Sequence, residues 1–229
     1  MEDVAPALYK RIQRLYNSAV NSDEKIAALL KKEKRTFFDA EDFAALKGKH
    51  AAKAMSTILK PEALPDGKMY FNIAQRTVRP MLEMLSEDVT DYGVATMDAL
   101  NKAAGIGIKA QRPKVSEDRI IGIIDRLSNA EEFEDIEWIL KSPTENFALN
   151  AVTEIVKLNA EFQQNAGLHP TITRTARFKC CDWCGNLEGQ YDYPIADNSI
   201  YQRHENCRCS VTFDPGDGRK QDVWSKNWR

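Results

Sequence analysis

Cysteine and histidine are scarce in this chain, and where they are missing is as informative as where they occur. The 229 residues include five cysteines and three histidines, and no cysteine precedes residue 180. This distribution excludes a disulfide-rich scaffold for the first three quarters of the chain. It also means that any thiol chemistry is confined to the C-terminal region.

Three further absences narrow the class of protein. No apolar run approaches the length of a membrane-spanning helix, so we expect no membrane partner. The net charge of −2 gives no general basis for nucleic-acid binding, although basic residues exceed acidic ones between Lys25 and Lys60. The start, Met1-Glu2-Asp3-Val4, lacks the basic-then-apolar order of a signal peptide. We therefore expect synthesis in the cytoplasm, where thiols stay reduced.

All five cysteines lie in two short clusters. The first, Cys180-Cys181-Asp182-Trp183-Cys184-Gly185, contains a C-x2-C pair, and the second, His204-Glu205-Asn206-Cys207-Arg208-Cys209, reads H-x2-C-x-C. Two short chelating pairs separated by a loop supply the four nitrogen or sulfur ligands of a tetrahedral zinc ion at small entropic cost. We expect Gly185 to allow a tight turn that aims backbone N–H groups at the thiolates.

The two clusters offer more donors than one tetrahedral ion needs. The candidate metal ligands are Cys181, Cys184, His204, Cys207 and Cys209. The first two and Cys207 are preferred, and either Cys209 or His204 completes the site. Cys207 and Cys209 are two residues apart, so an extended backbone points both to one side. Cys180 is expected to point away.

A site so rich in thiolates is expected to be closed, so we interpret it as a structural Zn²⁺ site that helps a small region to fold. The alternative is a set of buried free thiols or disulfides, and disulfides are disfavoured in the cytoplasm.

Most of the chain before residue 168 has apolar residues at helical spacing. We expect Asp39 to cap a helix that ends before Pro61. A helix over residues 69–85 is expected to stop where Ser86 caps a separate one. These elements predict an irregular multi-helix body.

Two later helices have recognisable starts. Ser116 is expected to cap a helix in which Ile121 is buried with the neighbouring isoleucines. Ser142 and Glu145 have the spacing of a capping box at the start of a long helix, and Phe162 is expected to belong to its buried stripe.

The pattern changes near the cysteines. Alternation of β-branched residues predicts a strand over 171–178 and another over 210–213, with a loop or edge segment over 190–194. The fold class is therefore α+β, mainly α. A helical body, residues 1–168, is followed by a small strand-and-loop module, residues 169–229, which is stabilised by zinc.

The order of motifs in this module resembles the phage Mu F-like family of minor head (head morphogenesis) proteins. The matching elements are Cys181-x-x-Cys184, Leu187-x-Gly189 and His204-x-x-Cys207-Arg208-Cys209. The last element usually reads H-P-N-C-R-C in the family, and Glu205 stands at the proline position here. The resemblance covers the C-terminal module, preceded by a helical region of suitable character.

The resemblance implies a minor structural protein of a bacteriophage head, made in the bacterial host and incorporated into the virion in few copies. It implies association with the portal or the inner capsid and a role in head morphogenesis or in DNA packaging and ejection. The implied partners are the portal protein and the major capsid protein, with double-stranded DNA or a scaffold protein as further candidates. Trp224 and Trp228, near the end of the chain, are suitable docking anchors.

The two Cys/His clusters also allow two alternatives to a structural phage protein. A zinc-stabilised nuclease of the HNH kind needs a general-base histidine and a metal-binding histidine, and the clusters contain only His204. A zinc-containing DNA-binding module needs a basic surface, which the composition of residues 171–229 does not provide. We therefore expect no enzymatic activity and no catalytic residues.

Overall fold

The computed structural model describes residues 3–177, 180–204 and 206–216. Within these residues it contains seven α-helices and one three-stranded antiparallel sheet near the C-terminal end, which confirms the predicted α+β, mainly α class. The helices are α1 (Ala5–Asn21), α2 (Glu24–Lys31), α3 (Phe37–Ile58), α4 (Phe71–Ala103), α5 (Glu117–Ser128), α6 (Ser142–Asn165) and α7 (Asp182–Asn186). The strands are β1 (Thr171–Thr175), β2 (Gly189–Asp192) and β3 (Ser210–Asp214). Trp224 and Trp228 lie outside the described residues.

Helices α3 and α6 form the centre of the body; α4 packs against both, α1 packs against α3 and α4, and α5 packs against α4. The backbones of α3 and α6 approach closely at Gly48, where a Cβ atom would lie 3.0 Å from Cα of Glu145. One apolar core runs from the helices into the sheet, where it includes Ile172, Val211 and Phe213. The sheet is therefore packed against the helical body, and the boundary near residue 168 stays a prediction.

Helix α3 begins one turn earlier than predicted. Thr36 is its N-cap, and the Asp39 N–H donates to Thr36 Oγ1 at 3.3 Å. The Asp39 carboxylate accepts from the Thr36 N–H at 2.8 Å, which completes a capping box. The prediction of Asp39 as the cap was therefore wrong, because its acidic side chain serves as the third helical residue of the box.

The predicted break at Ser86 is absent, and α4 runs through both Pro80 and Ser86 as one helix. Leu82, Leu85 and Val89 are buried along one face on both sides of Ser86. Burial of this continuous face outweighs the local preference of serine for a cap, because most helix stability in proteins comes from tertiary packing.

Two predicted core residues are on the surface. Ile120, Ile124 and Leu127 form the buried stripe of α5, whereas Ile121 is 44% exposed. Consecutive helical residues point about 100° apart, so Ile121 cannot share the stripe that Ile120 begins. Phe162 of α6 is likewise exposed, because it lies outside the buried face of that helix.

The sheet has the strand order β2-β1-β3, and both pairings are antiparallel. Ile172 and Arg174 of β1 point inward, and Arg174 pairs with Val211 of β3. Strand β1 ends at Thr175, before the predicted end at 178, and β2 is the expected edge segment. No helix in the described part of the chain is long and apolar enough to span a bilayer.

Candidate metal centre

The first cysteine cluster is positioned by the short helix α7, for which Cys181 is the N-cap. The backbone N–H groups of Cys184 and then Trp183 face the Cys181 sulfur, and they lower the pKa of this thiol. Gly185 is expected to allow a tight turn, but it lies within α7 without a positive φ, and its N–H donates to the Cys181 carbonyl oxygen at 3.0 Å. The polarising N–H groups therefore come from the first turn of α7.

The second cluster is shaped by a turn. The Cys207 N–H donates to the His204 carbonyl oxygen at 3.2 Å, and Asn206 adopts a left-handed conformation with φ of 58°. Asparagine tolerates this conformation better than most residues. Cys207 and Cys209 are both buried, whereas Arg208 between them is exposed. The two thiols therefore face the same side, as their spacing predicts.

The turn and α7 bring all five predicted donors together in two overlapping groups. One group is Cys181, Cys184 and His204, the other is Cys184, Cys207 and Cys209, and the donor atoms of each group lie within 4.8 Å of one another. Cys184 belongs to both groups. Cys180 is exposed and belongs to neither.

The donor separations match those around a tetrahedral ion. Cys184 Sγ lies 3.1 Å from His204 Nε2 and 3.9 Å from Cys207 Sγ, and Cys181 Sγ lies 3.4 Å from His204 Nε2. With zinc bond lengths, a tetrahedron has edges of about 3.8 Å between sulfurs and about 3.5 Å between sulfur and nitrogen. The cluster can hold a metal ion, and the choice of four ligands among the five donors stays a prediction.

Burial makes the inner thiols unfavourable places for negative charge. Desolvation raises the pKa of Cys184 to about 12 and raises that of Cys209. A bound divalent cation reverses this preference, because it stabilises each coordinating thiolate directly. The buried thiols of Cys184 and Cys209 are therefore expected to become thiolates only when they bind a cation.

Arg174 is a further residue of the centre that the sequence analysis missed. Its side chain is buried, and Nη2 lies 3.7 Å from Cys184 Sγ. Nη1 donates to the Gln202 carbonyl oxygen at 3.0 Å and to that of Ile200. A basic residue at an inward position of an alternating strand was the available signal. Arg174 both ties β1 to the segment before His204 and places a positive charge near the thiols.

The first turn of α6 holds the second cluster. The Asn206 N–H donates to Ser142 Oγ at 3.0 Å, and Arg208 forms an ion pair with Glu145. The predicted capping box is therefore wrong, since the N-cap is Lys141 and no side chain caps the helix. Both residues of the expected box bind the cysteine segment instead, because a contact with a distant segment satisfies their polar groups equally well.

A buried ion pair joins the same segment to α3. Glu41 Oε1 accepts from Arg203 Nη2 at 2.9 Å and from the Val211 N–H at 2.7 Å. Arg203 also donates to the Cys209 carbonyl oxygen and lies 3.3 Å from Thr153 Oγ1 of α6. These contacts fix the backbone on both sides of Cys207 and Cys209 against the helical body.

The side chains of His50 and Glu137 form ion pairs or hydrogen bonds away from the cysteine clusters. His50 lies 2.7 Å from the carboxylate of Asp23, and Glu137, in the 3-10 helix Glu134–Leu140, pairs with Lys60 and Lys141. In residues 3–177, 180–204 and 206–216, the two thiol groups are the only clusters of three metal-binding side chains.

A comparison with protein-family models found no match. Comparisons with curated proteins and with solved structures also found none.

Proposed function

We propose that the cluster binds one structural zinc ion and that the chain is a non-enzymatic minor structural protein of a bacteriophage head. The observation that carries the metal proposal is the convergence of three other thiols and one imidazole on Cys184, at separations close to those around a tetrahedral ion. The head assignment is supported by the ordered motif resemblance of the C-terminal module to Mu F-like minor head proteins.

The surroundings of the donors favour a structural role. Cys184, Cys207 and Cys209 are buried, and the segment that carries the last two is held by α3 and α6. A catalytic zinc keeps an open position for water or substrate. Four thiols and one imidazole supply more donors than a tetrahedral ion needs, so no water has to complete the coordination, and the ion acts as a clip between α7 and the second cluster.

The exposed surface is suited to docking on a large assembly. Phe71 is 56% exposed on α4, and Phe38 and Trp183 are also exposed. Large aromatic side chains are common anchors in protein interfaces. In the proposed function, the portal protein or the major capsid protein covers such anchors, and the virion is the site of action.

Metal content and local protection test the zinc site. The purified chain is expected to contain about one zinc per molecule by inductively coupled plasma mass spectrometry. Cys184→Ser, which removes the donor common to both groups, is expected to abolish binding and expose residues 171–216 to protease while the helices persist. Cys180→Ser is the matched control with unchanged zinc content. Unchanged protease resistance after complete chelation would contradict the structural role.

Quantitative mass spectrometry of density-purified virions tests the head assignment. We expect the chain to copurify with the portal protein at a fixed, low ratio. Absence from virions, despite expression in the lysing cell, would refute the assignment and leave the zinc site as a separate question.

A further inference from the structure

A groove lies between α5, the 3-10 segment Glu134–Leu140 and the beginning of α6. Most residues that line it are distant in sequence from the cysteine module. The lining of the groove includes Arg119, Arg126, Trp138, Asn146, Phe147 and Asn150, and Arg203 lies at its end. The lining combines positive charge, an aromatic ring and carboxamide groups, and it contains no carboxylate.

Two of the three arginines that line the groove have no acidic partner in the described part of the chain, whereas Arg203 is paired with Glu41. Arg119 and Arg126 are exposed, and neither forms an ion pair with any described residue. Gly122, between them on α5, has open space where a side chain would be. Nearby acidic groups face other partners, since Glu117 pairs with Arg79 and Glu137 with two lysines. The groove therefore favours an anion.

Trp138 and Asn150 provide a different kind of recognition. The Trp138 ring is 40% exposed, and the Arg126 guanidinium lies 5.1 Å from its centroid. Asn150 is only 6% exposed, yet its side chain makes no hydrogen bond with the described part of the chain. The Asn150 amide keeps some exposure to the groove, whereas Asn146 Oδ1 is fully enclosed and lies out of reach of a ligand. A ligand with hydrogen-bond donors and acceptors can therefore pair with the Asn150 amide, which the protein leaves without a partner.

We propose that this groove binds a nucleotide unit, with phosphate at Arg119 and Arg126, a base against Trp138, and polar base edges at Asn150. Stacking on an aromatic side chain beside basic residues is the usual way in which proteins hold single-stranded nucleic acid. A peptide of acidic residues alone, such as polyglutamate, satisfies the arginines but has no ring to stack on the exposed indole. This inference does not rest on the proposed head function.

The volume of the groove limits how much of a ligand it can enclose. The groove has a volume of about 460 Å³, which suits one ligand of the size of a nucleotide unit. An adjoining cavity shares Arg119, Phe147 and Asn150 with it and continues to Lys114, but its volume of about 20 Å³ admits little more than a water molecule. The groove therefore receives one unit, either as a free nucleotide or as part of a strand.

Fluorescence anisotropy with the full chain tests the proposal. The probes are a labelled single-stranded oligothymidylate of about 12 nucleotides and, by competition, a mononucleotide, at about 0.05 M salt. Trp138→Ala is expected to weaken oligonucleotide binding by about tenfold. Arg119→Gln is expected to weaken it and to reduce the salt slope by about one. Arg14→Gln, which removes an exposed charge on α1, is the control with little effect.

The outcomes separate the possibilities. Much tighter binding of the oligonucleotide identifies a strand as the ligand, whereas equal affinities identify a free nucleotide, and both support the proposal. If neither the oligonucleotide nor the mononucleotide binds, the proposal is overturned. Binding that survives both groove substitutions in proteins with unchanged melting temperatures also overturns it, as does equal binding of polyglutamate that is insensitive to Trp138→Ala.

Discussion

Loss of the buried Glu41 carboxylate should destabilise the protein more than loss of any exposed carboxylate. The side chains of Glu41 and Arg203 are 3% and 1% exposed. Glu41→Ala removes the acceptor for Arg203 and for the Val211 N–H, so a buried guanidinium and a buried backbone donor both lose their partner. Both groups remain desolvated in the folded state, which is the origin of the cost.

The magnitude follows from this desolvation. Removing one partner of a buried ion pair costs about 3–5 kcal/mol, because the remaining charge is buried without compensation. A typical domain is stable by about 5–15 kcal/mol, so Glu41→Ala should remove a large part of the folding free energy. Replacing both members, as Glu41→Leu with Arg203→Met, should restore part of the loss because no uncompensated charge remains.

Urea denaturation followed by circular dichroism measures this difference. Glu87→Ala is the matched control, because Glu87 pairs with Arg112 through side chains that are 56% and 43% exposed. Exposed pairs contribute about 0–1 kcal/mol. If Glu41→Ala proved as mild as Glu87→Ala, the argument that this pair fixes the cysteine segment to α3 would be refuted.

Three further predictions concern helix packing, the dependence of stability on pH, and which cysteines bind the metal. Gly48→Ala should destabilise by about 1–3 kcal/mol in urea denaturation because the new Cβ meets the α6 backbone, whereas Gly122→Ala, with open space, should stabilise by up to about 1 kcal/mol. The hydrogen bond with His50 lowers the pKa of Asp23, so its stabilisation is present above the unfolded-state pKa of about 3.9 and is lost as pH falls through the lower folded-state value. Asp23→Asn should therefore lower the urea midpoint at about pH 7, with the difference vanishing near pH 2. Cys180→Ser should retain metal content under limiting zinc, and loss of zinc there would contradict the outward placement of Cys180.

The features that the sequence could predict are those determined by short spacing. The C-x2-C and H-x2-C-x-C patterns predicted which donors converge, because chelating pairs need only a local turn. The burial of Cys207 and Cys209 beside exposed Arg208 likewise follows from alternation along an extended backbone. The presence of most helices and of strands β1 and β3 also follows from periods of three to four or two residues, whereas the segment that contains β2 is expected only as a loop or edge segment.

The partners of polar side chains could not be predicted in the same way. Ser142 and Glu145 have the spacing of a capping box, but the structure directs them to Asn206 and Arg208. The buried ion pair of Glu41 could not be predicted from local sequence, because its partner Arg203 is far away in the sequence. Local sequence patterns predict which polar side chains need hydrogen-bond partners. The packing of α3 and α6 against the cysteine segment determines which residues become those partners.

Two residues that line the proposed nucleotide groove, Asn146 and Arg203, also contact the backbone of the cysteine segment, so we expect the two proposed binding reactions to be coupled. Asn146 lines the groove and donates to the His204 carbonyl oxygen at 2.8 Å, and Arg203 lies at the groove end while it donates to the Cys209 carbonyl oxygen. In the proposed zinc site, a bound ion would hold His204 and Cys209 and would thereby help to fix Asn146 and Arg203. Zinc removal should therefore weaken oligonucleotide binding in the anisotropy assay. By thermodynamic reciprocity, oligonucleotide must then tighten zinc binding by the same factor, and unequal factors would show that chelation acts on the groove by another route.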